Sequence, residues 1–499
     1  MADNALNQIL ARRPHLDRGF EDIDLFPIVQ GEAHFVVGDP APLVTTPPED
    51  RLKTAHQLLN NPDPNTQESW AAYAAADPLG ALQALEQGDL LADATLWEGL
   101  LSAISGPGDK DPRRLEIRAE VLRRAFAHLE GANDAFVQGR LHALVVALRA
   151  AQQAGLDVSP GWWDRLWAAT EAQANNEAPI ATERFYERVI NSTAGWLAQT
   201  LLLKLREVRK RRRRADPHDL NRLDRILNSL TVPGILARGE LTASAGFLWS
   251  ISPSRLRRGL LPRLTLDTVE GASLRDVLTQ CANLGPTSSG ILKKPLMQGV
   301  TESRTTGVTA ANVAAKLLYP VLSTIRADPG PRADFPATEV KRALSRAYPG
   351  VRAGAALLLR DWLPKLPGDP AVAWRELIGP LFAATWPDDD RRLRDEASSR
   401  QLAALVTSAG DAFPEALTLV KPHLAYCEQE WGDLSFLKSP TCMQYPVAAL
   451  ELAWALCGPP SQSNSYDLAE ILDGLRNADP TVESDRRFQW LEDRAVRWK

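Results

Sequence analysis

The chain has 499 residues, of which 44% are hydrophobic and 24% are charged, with a formal net charge of −5. A length beyond about 250–300 residues excludes a single core and predicts several domains or one elongated array, while this ordinary composition excludes wholesale disorder. The overall acidity does not indicate nucleic-acid or membrane binding by the chain as a whole. Four cysteines are too few for a disulfide scaffold and favour a reducing compartment.

Residues 1–65 are rich in proline and predict a short extended N-terminal arm. The segment IVQGEAHFVVGDP (28–40) is the main β-like run, and its pattern leaves open a short hairpin or a part of the arm. The first residues lack a signal-peptide pattern, and no stretch approaches the about 18 uninterrupted apolar residues of a membrane span. We therefore expect a cytoplasmic protein without membrane contact.

From about residue 66 onward the pattern is helical. Apolar residues recur at intervals of three and four, as in Leu141, Leu144, Val145 and Leu148. Asp-Pro dipeptides punctuate these segments and predict helix starts, because Asp caps the first amides and Pro needs no donor in the first turn. They lie at 39–40, 63–64, 77–78, 111–112, 216–217, 328–329, 369–370 and 479–480.

Helices of about 10–20 residues joined by short turns predict an all-α fold, an irregular HEAT-like α-helical repeat array or α-solenoid. The clearest unit is AYPGVRAGAALLLRDWLPKLPGDPAVAWRELIGPLFAATW (347–386), in which a proline turn leads into Val351 and Arg352. Pro/Gly-rich boundaries divide the chain into four predicted segments. These are the arm (1–65), an N-terminal helical array (66–200), a basic central helical segment (201–330) and a C-terminal HEAT-like array (331–499).

Residues 285–309, GPTSSGILKKPLMQGVTESRTTGVT, predict a long polar loop, and loops of this length are usually functional or mobile. Gly285 and Gly290 have the separation found in a phosphate-binding loop. However, Lys293 and Lys294 come too late after the second glycine, and Pro295 follows them. The pattern favours a surface interaction loop over a nucleotide site.

Two further patterns partly match the spacing of metal ligands. His423, Cys427, Cys442 and Cys457 include only one pair with the close spacing of zinc ligands, so packed thiols are favoured. The spacing of Asp328, Glu339 and Lys341 loosely matches that of metal-dependent nucleases. However, Glu339 and Lys341 begin a helical pattern, so the sequence favours a helix whose acidic first turn is stabilised by the helix dipole over a metal site. The sequence therefore predicts no metal, no cofactor and no catalytic residue, and an enzyme with dispersed catalytic residues is the third functional hypothesis.

The stretch KLREVRKRRRR (204–214) carries eight Lys/Arg and one Glu. It predicts a cationic helix end, for which the helix dipole contributes about 0.3–1 kcal/mol per charge, but four consecutive arginines exceed that requirement. Residues 200–300 hold eighteen Lys/Arg against eight Asp/Glu, and the rest of the chain holds 39 against 54. The predicted binding residues are Lys204, Arg206, Arg209, Lys210, Arg211, Arg212, Arg213, Arg214, Lys293 and Lys294.

The segments ERVINSTAGWLAQTLLLKL (187–205) and LWSISPSRLRRGLLPRL (248–264) resemble the helical C-terminal regions of bacterial anti-phage defence-associated sirtuins. The shared residues are Asn191-Ser192 and Gly195-Trp196, together with helical patterning over about 70–499. The resemblance implies a sensor region of a defence protein. No glycine-rich NAD fingerprint and no zinc-binding cysteine pairs are present, so the resemblance assigns no catalytic residue.

These patterns favour a non-enzymatic helical-repeat recognition or scaffold protein, a sensor or regulatory component of a bacterial anti-phage system. The expected partner is a protein, either an effector subunit or a phage protein. The alternative is a nucleic-acid-binding array in which the 204–214 cluster contacts phosphates. Intramolecular contact and plain solvation of the cluster stay open as well.

Overall fold

A computed structural model of the chain describes residues 38–106, 111–173, 184–284, 286–326, 335–388, 390–426, 434–459 and 467–496. These residues form helices and turns, and none of those described lies in a β-strand. The chain is therefore all-α over the described ranges, which confirms the predicted fold class at this level.

The helices of six residues or more are numbered here in chain order. The first twelve are α1 Arg51–Leu59, α2 Ser69–Ala76, α3 Pro78–Glu86, α4 Ala94–Ser105, α5 Pro112–His128, α6 Asp134–Gly139, α7 Leu141–Gln153, α8 Gly161–Gln173, α9 Phe185–Ile190, α10 Thr193–Lys210, α11 Pro217–Asn228 and α12 Val232–Ala243. The others are α13 Ala245–Ile251, α14 Val269–Gln280, α15 Pro286–Glu302, α16 Gly307–Ile325, α17 Ala337–Arg346, α18 Pro349–Trp362, α19 Gly379–Thr385, α20 Glu396–Thr407, α21 Phe413–Val420, α22 Pro446–Cys457, α23 Leu468–Ala478 and α24 Arg486–Val496.

The chain divides into two compact units. The first comprises Met1–Thr242 with Ile251–Leu260, and the second comprises Ala243–Ser250 with Leu261–Lys499. This division is coarser than the four segments predicted from the sequence, whose boundaries stay a prediction.

Within each unit, helices pack in rows whose members need not be consecutive in the chain. In the first unit α2 contacts α4, α4 contacts α7, and α7 contacts α10. In the second unit one row runs α14–α16–α18–α20, and another runs α15–α17–α19–α21–α22–α24. Each row buries its apolar stripes between successive members, as Val313, Leu317 and Ala355 illustrate by being fully buried.

The Asp-Pro dipeptides begin helices, as predicted. A side-chain oxygen accepts a bond from an amide two or three residues on at Asp77, Asp111, Asp216, Asp369 and Asp479, with distances of 2.8–3.0 Å. Asp39 and Asp63 make the same contact at 2.9 and 3.2 Å. Asp328-Pro329 lies outside the described residues.

The predicted extended arm was wrong for residues 38–65. This part forms the short helices Ala41–Val44 and Pro64–Gln67 and the longer α1, and it fully buries Leu43 and Ala55. The prolines do not keep the chain extended, because Pro48 and Pro64 occupy first-turn positions that tolerate a missing amide. Residues 1–37, with most of the β-like run, lie outside the described residues.

The predicted polar loop at 285–309 was also wrong, because most of it forms α15. Leu292, Leu296 and Val300 follow one another at four-residue intervals and are fully buried. The Ser, Thr and Gly content of the segment hid this stripe. Pro295 lies inside the helix, where its ring is buried against the unit and packing offsets the lost amide bond.

Buried arginines join successive helices. Arg238 donates to the carbonyls of Ile226 and Ser229 at 2.9 and 2.6 Å, which satisfies the end of α11. Arg275 donates to the carbonyls of Leu264 and Leu266 at 3.0 and 2.8 Å. Each guanidinium thus caps backbone groups that the preceding helix leaves without a partner.

Helix α16 is apolar and long enough to cross a membrane by composition, and it is the one such helix among the described residues. Half of its apolar window is buried inside the structure, and it packs between α14 and α18. A core helix meets the same compositional test, so this helix gives weak support for a membrane span.

Candidate macromolecular contact surfaces

Helix α10 carries the predicted basic run and begins at a well-formed cap. The hydroxyl of Ser192 accepts a bond from the amide of Gly195 at 2.9 Å. A Cβ atom at position 195 would overlap the carbonyl of Val189, so this site requires glycine. Asn191 donates to the carbonyl of Glu187 at 2.8 Å. Of the residues on which the resemblance rested, Ser192 and Gly195 therefore serve the start of this helix, and Asn191 serves the end of α9.

Lys204 anchors α10 to α11. Its ammonium lies 3.1 Å from the carboxylate of Asp219, which is fully buried and also accepts a bond from Arg222 at 2.9 Å. Arg222 reaches Asp164 at 2.7 Å and stacks over the ring of Trp163 at 5.3 Å. The carboxylate of Asp219 thus compensates the charge of Lys204, and this lysine is a structural residue rather than part of an exposed surface.

The remaining predicted cations of the run are exposed at the C-terminal end of α10. We call Arg206, Arg209, Lys210, Arg211, Arg212, Arg213 and Arg214 the basic end. Lys210 lies 3.9 Å from Glu207, a distance at which an exposed pair contributes little. Arg206 lies near the buried Glu240, whose pKa is raised by burial while the charges of Arg206 and Arg149 oppose that shift.

The backbone at the basic end adopts a Schellman cap. The amide of Arg212 donates to the carbonyl of Arg209 at 2.8 Å, and the amide of Arg213 donates to that of Val208 at 3.0 Å. Arg212 has φ of 55°, in the left-handed region that favours glycine. An L-residue with a Cβ atom pays about 1–2 kcal/mol there, so the arginine at this position is not the choice that folding favours.

Lys293 and Lys294 lie on α15 in the second compact unit, whereas the basic end belongs to the first. Lys293 is 3.1 Å from Glu339, which occupies the first turn of α17. Lys294 is exposed. Since Lys293 lies within a regular helix, the phosphate-binding loop that the glycine spacing resembles does not form around it.

A groove in the second unit was not predicted. Its volume is about 450 Å³, and it lies where α16, α18 and α20 begin side by side. Its small lining residues are Gly307, Gly350, Ala353, Gly354 and Ala397, and its polar ones are Thr306, Glu396, Arg400 and Gln401. The sequence signal was the Gly350/Gly354 pair on one face of α18, but the groove joins helices that are far apart in the chain.

Glycine sets the depth of this groove. A Cβ atom at Gly354 would overlap the backbone of Ala310, and one at Gly350 would overlap the carbonyl of Thr305. The two glycines therefore let α18 lie directly against the backbone of α16. Arg352 fixes the other side of α18, since it lies 3.6 Å from Asp395, the residue that caps α20.

Two other cavities lie in the first unit. One has a volume of about 630 Å³ and runs along α4, α5 and α7, with Leu115 and Arg149 in its wall. The other, of about 40 Å³, lies beside Lys204, Asp219 and Arg222. Among the described residues that line these two cavities and the groove, no nucleophilic hydroxyl group is hydrogen-bonded to a general base.

The residues weighed as metal ligands do not assemble in the described part of the chain. Cys442 and Cys457 are buried, and burial raises the pKa of the Cys442 thiol to about 11, which disfavours the thiolate that zinc requires. Cys427 and Asp328 lie outside the described residues. No cluster of three or more His, Cys, Asp or Glu side chains able to hold a metal occurs among those that are described.

Comparison with known proteins gives one relative of similar sequence. The chain is 32% identical over 501 residues to the Sinorhizobium fredii protein named "Uncharacterized protein y4cA". The alignment covers 99% of this chain and 41% of that relative, so the chain spans less than half the length of the protein it matches. No family model matches the chain. No solved structure matches it significantly.

Proposed function

We propose that the chain is a non-enzymatic HEAT-like α-solenoid that recognises a partner protein. The observation that carries this proposal is the packing of helices in rows within each unit, such as the row α14–α16–α18–α20. Rows of this kind place equivalent helix ends side by side and form an extended surface, which is how repeat proteins bind partners without an enclosed pocket.

The groove at α16, α18 and α20 is the contact surface that we assign to this recognition. Its small floor residues allow close approach of a partner backbone, and the N-termini of α16 and α18 favour a carboxylate, while α20 begins with the acidic Asp395 and Glu396. The partner that fits is an extended protein segment with an acidic side chain. We place this recognition in the cytoplasm, in the sensor or regulatory component of a bacterial anti-phage system, with an effector subunit or a phage protein as partner.

Site-specific photocrosslinking tests the groove. A photoreactive amino acid replaces Ala397, which is exposed in the groove, or Ala383, which is exposed on α19 outside it. We expect a discrete crosslinked partner from position 397 in host cells and none from position 383. Equal crosslinking from both positions contradicts the assignment of the groove.

The defence role has its own test. Phage plating efficiency is measured in the native host with the gene deleted, restored, or restored as Ala397→Gln. We expect protection to return with the natural chain and with Ala383→Gln, but not with Ala397→Gln. Plating that is the same with and without the gene would overturn the defence role while leaving the groove assignment intact.

A chain-borne enzymatic activity stays the third hypothesis. The cavities among the described residues contain no group of side chains that defines a catalytic mechanism, so we assign no catalytic residues to this hypothesis.

A further inference from the structure

Four arginines of the basic end, at positions 211–214, carry charge that no acid of the described residues pairs. Most other cations of residues 200–300 are engaged by acids or carbonyls in their own unit, as Arg225 is by Glu171 at 2.9 Å and Arg255 by Asp224 at 2.8 Å. The side chains of Arg211, Arg212, Arg213 and Arg214, in contrast, are exposed and make no hydrogen bond or ion pair with the described residues. The charge excess of this stretch is therefore concentrated at one helix end.

The local backbone also disfavours this sequence. Arg212 occupies the left-handed position of the Schellman cap, where glycine would satisfy the same hydrogen bonds without strain. Four adjacent like charges repel one another in addition. Strain and repulsion at an exposed site indicate that the side chains serve a contact rather than the cap.

The chemistry of the side chains defines the class of ligand. Six of the seven residues of the basic end are arginine, whose planar fork binds phosphate oxygens in pairs. Residues 211–214 span about 10 Å of chain, and duplex nucleic acid carries one negative charge per about 1.7 Å of axis. A duplex therefore offers about six phosphates to this short segment, a density of negative charge that an acidic protein surface rarely matches.

The aromatic content favours a duplex over a single strand. Phe247 and Trp249 are the aromatic residues of the span 200–300, and neither adjoins the arginine run in sequence. Proteins that bind single strands generally stack bases on aromatic side chains. Contacts of such cations to phosphate oxygens hold a duplex in place and carry no base-sequence information.

We propose that the basic end of α10 binds the phosphate backbone of double-stranded nucleic acid without sequence preference, through Arg211, Arg212, Arg213 and Arg214. This activity belongs to the first compact unit and goes beyond the protein recognition assigned to the groove, so either can fail without the other.

The test measures fluorescence anisotropy of a labelled mixed-sequence DNA duplex with the full chain between 50 and 200 mM NaCl. The variant is Arg211→Gln, Arg212→Gly, Arg213→Gln and Arg214→Gln, in which glycine preserves the cap. The control is Arg113→Gln, Arg114→Gln, Arg391→Gln and Arg392→Gln, which removes the same charge from other exposed sites. Circular dichroism checks that each variant is folded.

We expect the natural chain to bind the duplex with an affinity that falls about 100-fold across this salt range, because about 0.9 counterions are released per phosphate contacted. The variant should lower the slope of log K against log salt by about 3 to 4, whereas the control should change it little. A duplex of another sequence should bind equally well, and the corresponding single strand more weakly.

Three results would overturn the proposal. The first is no binding of the natural chain at 50 mM NaCl. The second is an equal loss of binding in the variant and the control, which would reduce the effect to net charge. The third is tighter binding of poly-glutamate than of the duplex with the same dependence on the four arginines, which would assign the basic end to an acidic protein.

Discussion

Single residues decide how closely the helices of the second unit approach one another. Gly354→Ala places a methyl group where the backbone of Ala310 lies, so we expect a loss of about 1–3 kcal/mol in the free energy of unfolding. Gly290→Ala is the matched control, since a Cβ atom there meets no atom within 4 Å. Because alanine favours a helix interior over glycine, the control should gain about 0.5–1 kcal/mol in denaturant unfolding. Equal effects in the two variants would contradict the close approach.

At the end of α10, Arg212→Gly should stabilise the protein. Glycine adopts a φ of 55° without strain, so we expect a gain of about 1 kcal/mol in the free energy of unfolding. Arg213→Gly is the control, because Arg213 is not among the residues with positive φ and should lose stability or stay unchanged. A gain from Arg213→Gly and none from Arg212→Gly would place the left-handed residue elsewhere.

At the scale of the element, buried arginines hold neighbouring helices in place. Arg275→Lys keeps the charge but loses the fork that contacts Leu264, Leu266 and the carboxylate of Glu302 at 2.7 Å. We expect a loss of about 2–4 kcal/mol, because breaking a buried charge network leaves groups without partners. Arg263→Lys, at a looser pair with Glu270, should change stability by less than about 1 kcal/mol. Chemical denaturation of both variants makes the comparison.

Helix α16 carries a lysine in its packed body. Burial lowers the pKa of Lys316 to about 8, with Cys281 nearby acting in the opposite direction, and its ammonium donates to the carbonyl of Gln280 at 3.3 Å. Between the folded pKa and the ordinary value of 10.5, the unfolded state binds more protons than the folded state. The contribution of this lysine to stability therefore rises with pH over that window, by up to about 1.4 kcal/mol per pH unit.

Replacement of this lysine isolates its contribution. We expect Lys316→Met to be more stable than the natural chain at pH 7, where the charged amine is otherwise held in a buried position. The difference should shrink as the pH rises from 8 to 10. Urea unfolding at several pH values measures both curves, and a constant difference between them would show that Lys316 keeps its ordinary pKa.

The sequence predicts an element well when the residues that determine it are neighbours in the chain. Helix starts such as Asp111 were predictable, because cap and first turn are adjacent in the chain. Helix α15 was missed because Pro295 and many polar residues hid three buried residues at regular spacing. The buried arginines were missed because burial of a guanidinium depends on carbonyls of another helix, which no local pattern shows.

At the scale of the whole molecule, the proposed solenoid makes stability local. In a repeat array each helix pair contacts its neighbours only, so damage at one pair should stay near it. We expect Gly354→Ala to increase amide hydrogen exchange in α16, α18 and α20, while α4 and α7 in the other compact unit keep their protection. Hydrogen exchange followed by mass spectrometry resolves these helices. Equal loss of protection in all of them would contradict an array with local cooperativity.

The groove at α16, α18 and α20 could not be predicted from the sequence. Thr306, Gly350 and Ala397 are separated by more than forty residues each, and only the packing of alternate helices brings them together. Periodicity predicted the helices but not which of them would be neighbours. The all-α class could therefore be read from the sequence, whereas the contact surface could not.

The Schellman cap at Arg212 has a consequence for the conformational entropy that binding costs. Two backbone hydrogen bonds fix the chain at Arg212 and Arg213, so the guanidinium groups start from a defined scaffold rather than from a free tail. A preorganised segment loses less conformational entropy when it meets its ligand than a disordered basic tail of equal charge. The strain of the left-handed Arg212 is thus part of the free energy of folding, and the backbone needs no further ordering when the ligand binds.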